Sequence, residues 1–329
     1  MIMRRLIKIF AVITAIGAYT MILLGVLVTA SGSGQGCGNS WPFCHGQVIP
    51  GTITIAGLVE YSHRIMSGAD GFLVLILTVW CWIQYRRDFQ VKLFSFLSIL
   101  FVVLQGALGA LTVVYEGKWE LSWLLAVHFG LSLVAFASVI LLVFRLFQVD
   151  KKPQERRLLT RANLARLRLP LWGLAVYTYI VTYSGALVEH TGAVVGCGTQ
   201  LPGCGATYLP SFSSLAGIQV LHRYAASLLW LLVVALLVVV VRRYRENKDL
   251  VRGSWLLFTL ITLQAITGIL NVETAGQMLV SLVHATLITV FFSILCVLGV
   301  EVSTPFRQRR GEAGQEQEQE AKVYSSTTL

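Results

Sequence analysis

Eight mostly apolar stretches of roughly 20 residues or more divide the chain, the length a helix needs to cross about 30 Å of hydrocarbon. They cover residues 6–30, 61–85, 93–115, 121–144, 169–188, 221–241, 253–272 and 277–300. Of the 329 residues, 56% are apolar and only 13% charged, a balance that excludes an ordinary soluble domain. The expected fold class is all-α and integral to the membrane.

A net charge of +10 raises the question of nucleic acid, but the basic residues fall in alternate loops. Arg4, Arg5 and Lys8 are followed by Arg86, Arg87 and Lys92, then by basic clusters within 151–168, 242–252 and 307–310. The opposite loops carry Lys118 alone, with Arg64 and Arg223 at helix ends. Positive-inside bias accounts for this pattern, so nucleic acid is not required and the lipid bilayer is the partner. Both termini are expected in the cytoplasm of a bacterial cell with a multi-pass cell membrane protein between them. The first stretch mimics a signal peptide ending at Val28-Thr29-Ala30, but its apolar run is too long for a signal core and has a counterpart later in the chain. Residues 302–329, with their Gln/Glu alternation, are expected to form a disordered cytoplasmic tail.

The chain repeats itself. Gly25-Val-Leu-Val28 with Gly36-Cys37 and Cys44 matches Gly185-Ala-Leu-Val188 with Gly196-Cys197 and Cys204 at an offset of 160. His63-Arg64 matches His222-Arg223, and Gln105 through Gly109 matches Gln264 through Gly268, both at 159, while His128 matches His284 at 156. Residues 1–149 and 169–301 are thus expected to be two tandem four-helix bundles joined by a cytoplasmic linker, 150–168. An even helix number gives both halves the same orientation, related by a pseudo-two-fold axis along the membrane normal.

Each half carries a histidine near the outer end of its second helix, His63 or His222, and another near the outer end of its fourth, His128 or His284. Ionisable side chains at membrane depth are costly and mark function more often than packing, the more so when they recur in matched pairs. Zinc and copper normally take three or more protein ligands, and no third ligand type recurs in both halves. Haem iron needs only two axial imidazoles, which parallel second and fourth helices can supply at equal depth. Gly68, Gly106, Gly109, Gly130, Gly268 and Ala285 would leave room for a flat macrocycle, though small residues serve helix packing equally well. Arg64 and Arg223 are placed to pair with haem propionates, or else to anchor at lipid headgroups. Cys37 with Cys44, and Cys197 with Cys204, lie in outward loops on the oxidising side, which points to one disulfide in each; a metal site using the nearby His45 or His190 is the other reading. Cys81 and Cys296 read as apolar filler within helices.

The halves differ at one informative place: Glu60 stands one helical turn before His63, where Gln219 stands before His222. Asp70, seven residues beyond His63, also lacks an acidic counterpart, Leu229 standing in its place. At these residues the sequence resembles the haem A synthase family, in particular its cysteine-containing bacterial branch. The resemblance runs from Gly25 to about His284 and is carried by Gly32-Ser-Gly-Gln-Gly-Cys-Gly38, Trp41-Pro42, Cys44-His45-Gly46, Glu60-Tyr-Ser-His-Arg64, Gln105-Gly-Ala-Leu-Gly109, His128-Phe-Gly130, His222-Arg223 and His284.

The resemblance implies an oxidoreductase that hydroxylates one methyl group of haem O in successive steps, the gem-diol losing water to leave a formyl group. It also implies that His63, His128, His222 and His284 are the haem-iron ligands and that Glu60 is the important carboxylate. The C-terminal half would hold haem b as cofactor and the N-terminal half would receive haem O as substrate. An electron donor and a haem O synthase are the protein partners it implies. Spacing alone supports only a two-site haem protein, which leaves open a non-catalytic di-haem membrane cytochrome and a haem transporter or chaperone.

Overall fold

The structure, a computed structural model, describes residues 2–115, 120–149, 162–200, 203–204 and 207–303. Lys118, residues 150–161 of the expected linker and residues 304–329 of the expected tail lie outside them. Among the described residues eight helices are long and apolar enough to cross a membrane: α1 (Ile2–Ala30), α2 (Ile55–Gln84), α3 (Phe89–Val114), α4 (Glu120–Gln148), α5 (Arg168–His190), α6 (Leu215–Arg243), α7 (Lys248–Glu273) and α8 (Met278–Ser303). A 3-10 turn, Ala162–Leu167, leads directly into α5.

Each apolar stretch proves to be the centre of a longer helix. Five helices, α1, α2, α3, α6 and α7, start four to six residues earlier than hydropathy alone suggests, and in the last four of these a polar residue caps the start. Thr54 and Ser214 accept from the backbone N–H of Gly57 and Gly217, both at 3.0 Å, and Asp88 and Asn247 cap α3 and α7 in the same way. Such a cap contributes about 1 kcal/mol by satisfying one of the amides a helix start leaves without a partner.

Consecutive helices pack on each other within 1–149 and within 169–301, and α1, α4, α5 and α8 form the seam between these halves. Half of the most apolar window of α4, α5 and α8 is buried inside the protein, against 6% for α3, so α3 is left to face lipid. One continuous cluster, including Ile7, Leu142, Leu171, Phe291 and Leu295, runs through both halves. Lipid tails are as apolar as these side chains, so close packing and hydrogen bonds must hold the seam. Tyr179 of α5 lies against Gly130 of α4, Tyr19 Oη meets Thr286 Oγ1 at 2.9 Å, and Gln148 donates to Glu301 at 2.7 Å. Near the α2–α3 turn Arg145 reaches from α4 to Asp88, with N···O distances of 2.5 and 3.3 Å.

Candidate functional site

The Gly-rich loops are built to one plan in both halves. Cys37 is bonded to Cys44 (S–S 2.02 Å) and Cys197 to Cys204 (2.12 Å), each bond spanning seven positions. Each loop lies directly on the first turn of the helix that follows it: a Cβ on Gly196 would sit 2.8 Å from the backbone of Leu215, and one on Gly36 would overlap Ala56. No side chain fits there.

Glu60 and Gln219 latch these loops. Glu60 Oε2 accepts from Cys37 N–H at 2.8 Å, and Gln219 Oε1 accepts from Cys197 N–H at the same distance. Their other atoms part ways: Glu60 Oε1 pairs with Arg64, whereas the Gln219 amide donates to the Val194 carbonyl at 2.6 Å. Both latches are buried, 5% and 2% exposed. The arginines are clamps too. Arg64 Nη1 donates to the carbonyls of Ser40 (2.5 Å) and Phe43 (3.2 Å), and Arg223 Nη1 to those of Gln200 (2.6 Å) and Gly203 (3.1 Å). These are corresponding positions in the repeat, a use that neither propionate pairing nor lipid anchoring describes.

Beneath the loops each histidine ring rests against a glycine of the preceding helix. An ideal Cβ on Gly25, Gly109, Gly185 or Gly268 would lie 3.5, 3.3, 2.7 or 3.3 Å from the imidazole Cε1 of His63, His128, His222 or His284 respectively. Gly109 and Gly268 therefore make room for an imidazole rather than a macrocycle, while Gly130 abuts Tyr179 across the seam and Gly68 and Gly106 meet nothing. The side-chain NH2 groups of two glutamines, which can only donate, sit 3.0 Å (Gln105) and 2.9 Å (Gln264) from the Nε2 atoms of His128 and His284. Gln105 also donates to Ser132. His63 lies within electrostatic reach of His128, and His222 of His284.

A cavity of about 800 Å³ opens between α5, α6, α7 and α8 and reaches across the seam to Gly25, Val26 and Thr29 of α1 and Phe129 of α4; its volume is within the usual range for cofactor sites. His222 and His284 line it, together with apolar side chains such as Leu229, Trp230, Ile261 and Ile288, with Arg223 and Gln219 also on its wall. In the first half the Nδ1 atoms of His63 and His128 are buried and have no hydrogen-bond partner. An unsatisfied buried polar atom costs about 1–3 kcal/mol, so such atoms persist where function needs them. Two imidazoles per half, an apolar cavity of macrocycle size and basic side chains at its edge fit haem in chemistry and in volume. Among the described residues no three His, Cys, Asp or Glu side chains gather as a metal ion would require.

The second site is less neutral than the Glu60/Gln219 difference suggests. Glu189 and His190, the last residues of α5, line its cavity, and His190 also lies within electrostatic reach of His128 in the other half. Ser122 Oγ of α4 donates to the His190 carbonyl at 3.0 Å and fixes that junction. Thr29 and Ala30 occupy the matching places in the first half, so the repeat did not flag this pair. Asp70 is buried, with Oδ1 lacking a partner, and faces Gly17 of α1. Cys81 and Cys296 are free and buried.

Residues 8–296 match the cytochrome oxidase assembly protein family, COX15-CtaA. The chain is 37% identical over 296 residues to the heme A synthase of Bacillus mycoides (strain KBAB4), covering 90% of this chain and 93% of that one. It is 36% identical over 312 residues to the heme A synthase of Bacillus cereus (strain G9842), covering 95% and 98%. A heme A synthase of Bacillus anthracis (strain CDC 684 / NRRL 3495) is 37% identical over 296 residues, covering 90% and 93%. With the family match running through all four histidines and both loop cysteine pairs, this membrane protein belongs to the COX15-CtaA family of cytochrome oxidase assembly proteins.

Proposed function

We propose that the protein is a haem A synthase, an oxidoreductase that converts a methyl group of haem O to a formyl group by successive hydroxylations and loss of water. The observation that carries this reading is the doubled histidine plan, two rings in each half with glycine seats, within a chain whose relatives are named for that activity. The C-terminal half, with His222 and His284 on its large apolar cavity, holds haem b; the N-terminal half, with His63 and His128, receives haem O. The halves are related by an axis along the membrane normal, and both termini are cytoplasmic.

Haem b, when bound, supplies one-electron redox chemistry beside the substrate site. The chain's own residues do the rest. His63 and His128 hold the substrate from two sides and set its depth, while the disulfide loop covers it against water. Glu60 keeps that loop closed through Cys37 N–H and fixes Arg64, placing a carboxylate within one helical turn of His63. A carboxylate there balances charge and takes up or delivers protons as the methyl carbon is oxidised.

Expression in cells that make haem O but no haem A, followed by chromatography of extracted pigments, tests the reading. The unaltered chain is expected to accumulate haem A. His63→Ala and His128→Ala should abolish haem A while sparing haem b, and His222→Ala or His284→Ala should remove haem b. Absence of haem A with the unaltered chain overturns the function, and full haem b in both second-half variants overturns the division between halves.

A further inference from the structure

The two halves treat their histidines alike at the glycine seat and at the glutamine, but differently at Nδ1. Ser184 Oγ of α5 lies 2.9 Å from His222 Nδ1, and Thr267 Oγ1 of α7 lies 2.9 Å from His284 Nδ1. Each hydroxyl has one proton and has already committed it to the backbone, Ser184 to Val181 O at 2.7 Å and Thr267 to Gln264 O at 3.0 Å. Each must therefore accept from an Nδ1–H, which leaves the lone pair on Nε2. The Gln264 amide, a donor pointed at His284 Nε2, requires the same tautomer. In the first half the corresponding positions are Leu24 and Leu108, and the Nδ1 atoms of His63 and His128 have no partner.

We infer that Ser184 and Thr267 are positioning residues that lock His222 and His284 as permanent haem ligands, and that Leu24 and Leu108 leave the other pair unlocked so that its haem can exchange. The inference rests on the assignment of haem b to the second half. An imidazole that donates from Nδ1 to a fixed oxygen keeps its ring orientation and becomes a more basic ligand at Nε2, and loss of such an outer partner typically weakens metal binding 10- to 100-fold. A more basic ligand also favours ferric over ferrous iron. The same helix positions that mark the glycine seats, one residue away in each case, thus separate a held cofactor from a visiting substrate.

The test uses full-length protein purified with its haem in detergent, and reads haem transfer to an excess of apomyoglobin together with the midpoint potential of the second-half haem. Ser184→Ala and Thr267→Val are expected to release that haem roughly 10-fold faster and to raise its potential. Thr267→Ser, which keeps the hydroxyl, should behave as the parent protein. Unchanged release and potential in both Ser184→Ala and Thr267→Val, with a haem-free His222→Ala protein alongside, overturns the inference alone. Equal losses in Thr267→Ser and Thr267→Val also overturn it, since packing and not the hydroxyl would then be responsible. A His222→Ala protein that keeps all its haem overturns the assignment beneath it.

Discussion

Glu60 and Gln219 perform the same mechanical task with different charge, and that makes their exchange informative. Glu60→Gln should keep the Cys37 N–H bond, as Gln219 keeps that of Cys197, while removing the charge that pairs with Arg64. The expected outcome is folded protein with normal haem b and at least about 10-fold less haem A, checked by pigment chromatography and the visible spectrum. A variant with normal haem A output confines Glu60 to the latch. The four histidines and the cysteine pairs were legible as candidates because duplication prints each motif twice, and Glu60 because the repeat puts Gln219 in its place. Ser184, Thr267 and Glu189 were not, because their counterparts are Leu24, Leu108 and Thr29 and no repeat marks them, while His190, with Ala30 as its counterpart, stood out only as a neighbour of the loop cysteines. The arginines were visible, but their hold on loop carbonyls depends on how the loop folds back over its helix.

Hydropathy located the eight helices among the described residues and misjudged where five of them begin, since at four of these starts a polar cap, and not the apolar run, defines the first turn. Asp88 shows how much one cap can join: it starts α3 through Val91 N–H and ties it to α4 through Arg145, with both side chains about one-seventh exposed. Burial raises the pKa of its carboxyl, but the hydrogen bonds and charge of Arg145, with the amides of Val91 and Gln90, outweigh this and hold it below the ordinary 3.8. A depressed folded value means the ionised carboxylate contributes stability above about pH 4 that is lost as pH falls through the lower folded value. Asp88→Asn keeps the cap, since Asn caps as well as Asp, but leaves Arg145 without its counter-charge. A loss of about 1–2 kcal/mol near neutral pH is expected, smaller than for a fully buried pair. Thermal unfolding in detergent from pH 7 to pH 3 checks it: the parent's advantage over the variant should shrink at the acid end.

At the scale of the molecule, the proposed orientation follows from two features: eight spans among the described residues would bring both ends to one side, and positive-inside bias in the alternate basic loops makes that side the cytoplasm. Reporter fusions at the C-terminus and in the 31–54 loop should give cytoplasmic and external signals respectively; the reverse pair of signals refutes the orientation. The seam of α1, α4, α5 and α8 was not legible in the sequence, because nearly every helix is apolar all round and periodicity cannot tell a lipid-facing side from a buried one. The leucines opposite Ser184 and Thr267 have a meaning in time as well as in space. A cofactor serves best with a residence time of many turnovers, whereas a product must leave once per turnover, and a single dissociation rate cannot satisfy both. On the division of halves proposed above, two copies of one scaffold that differ by a hydroxyl beside each ligand would let one chain run a slow clock and a fast one side by side.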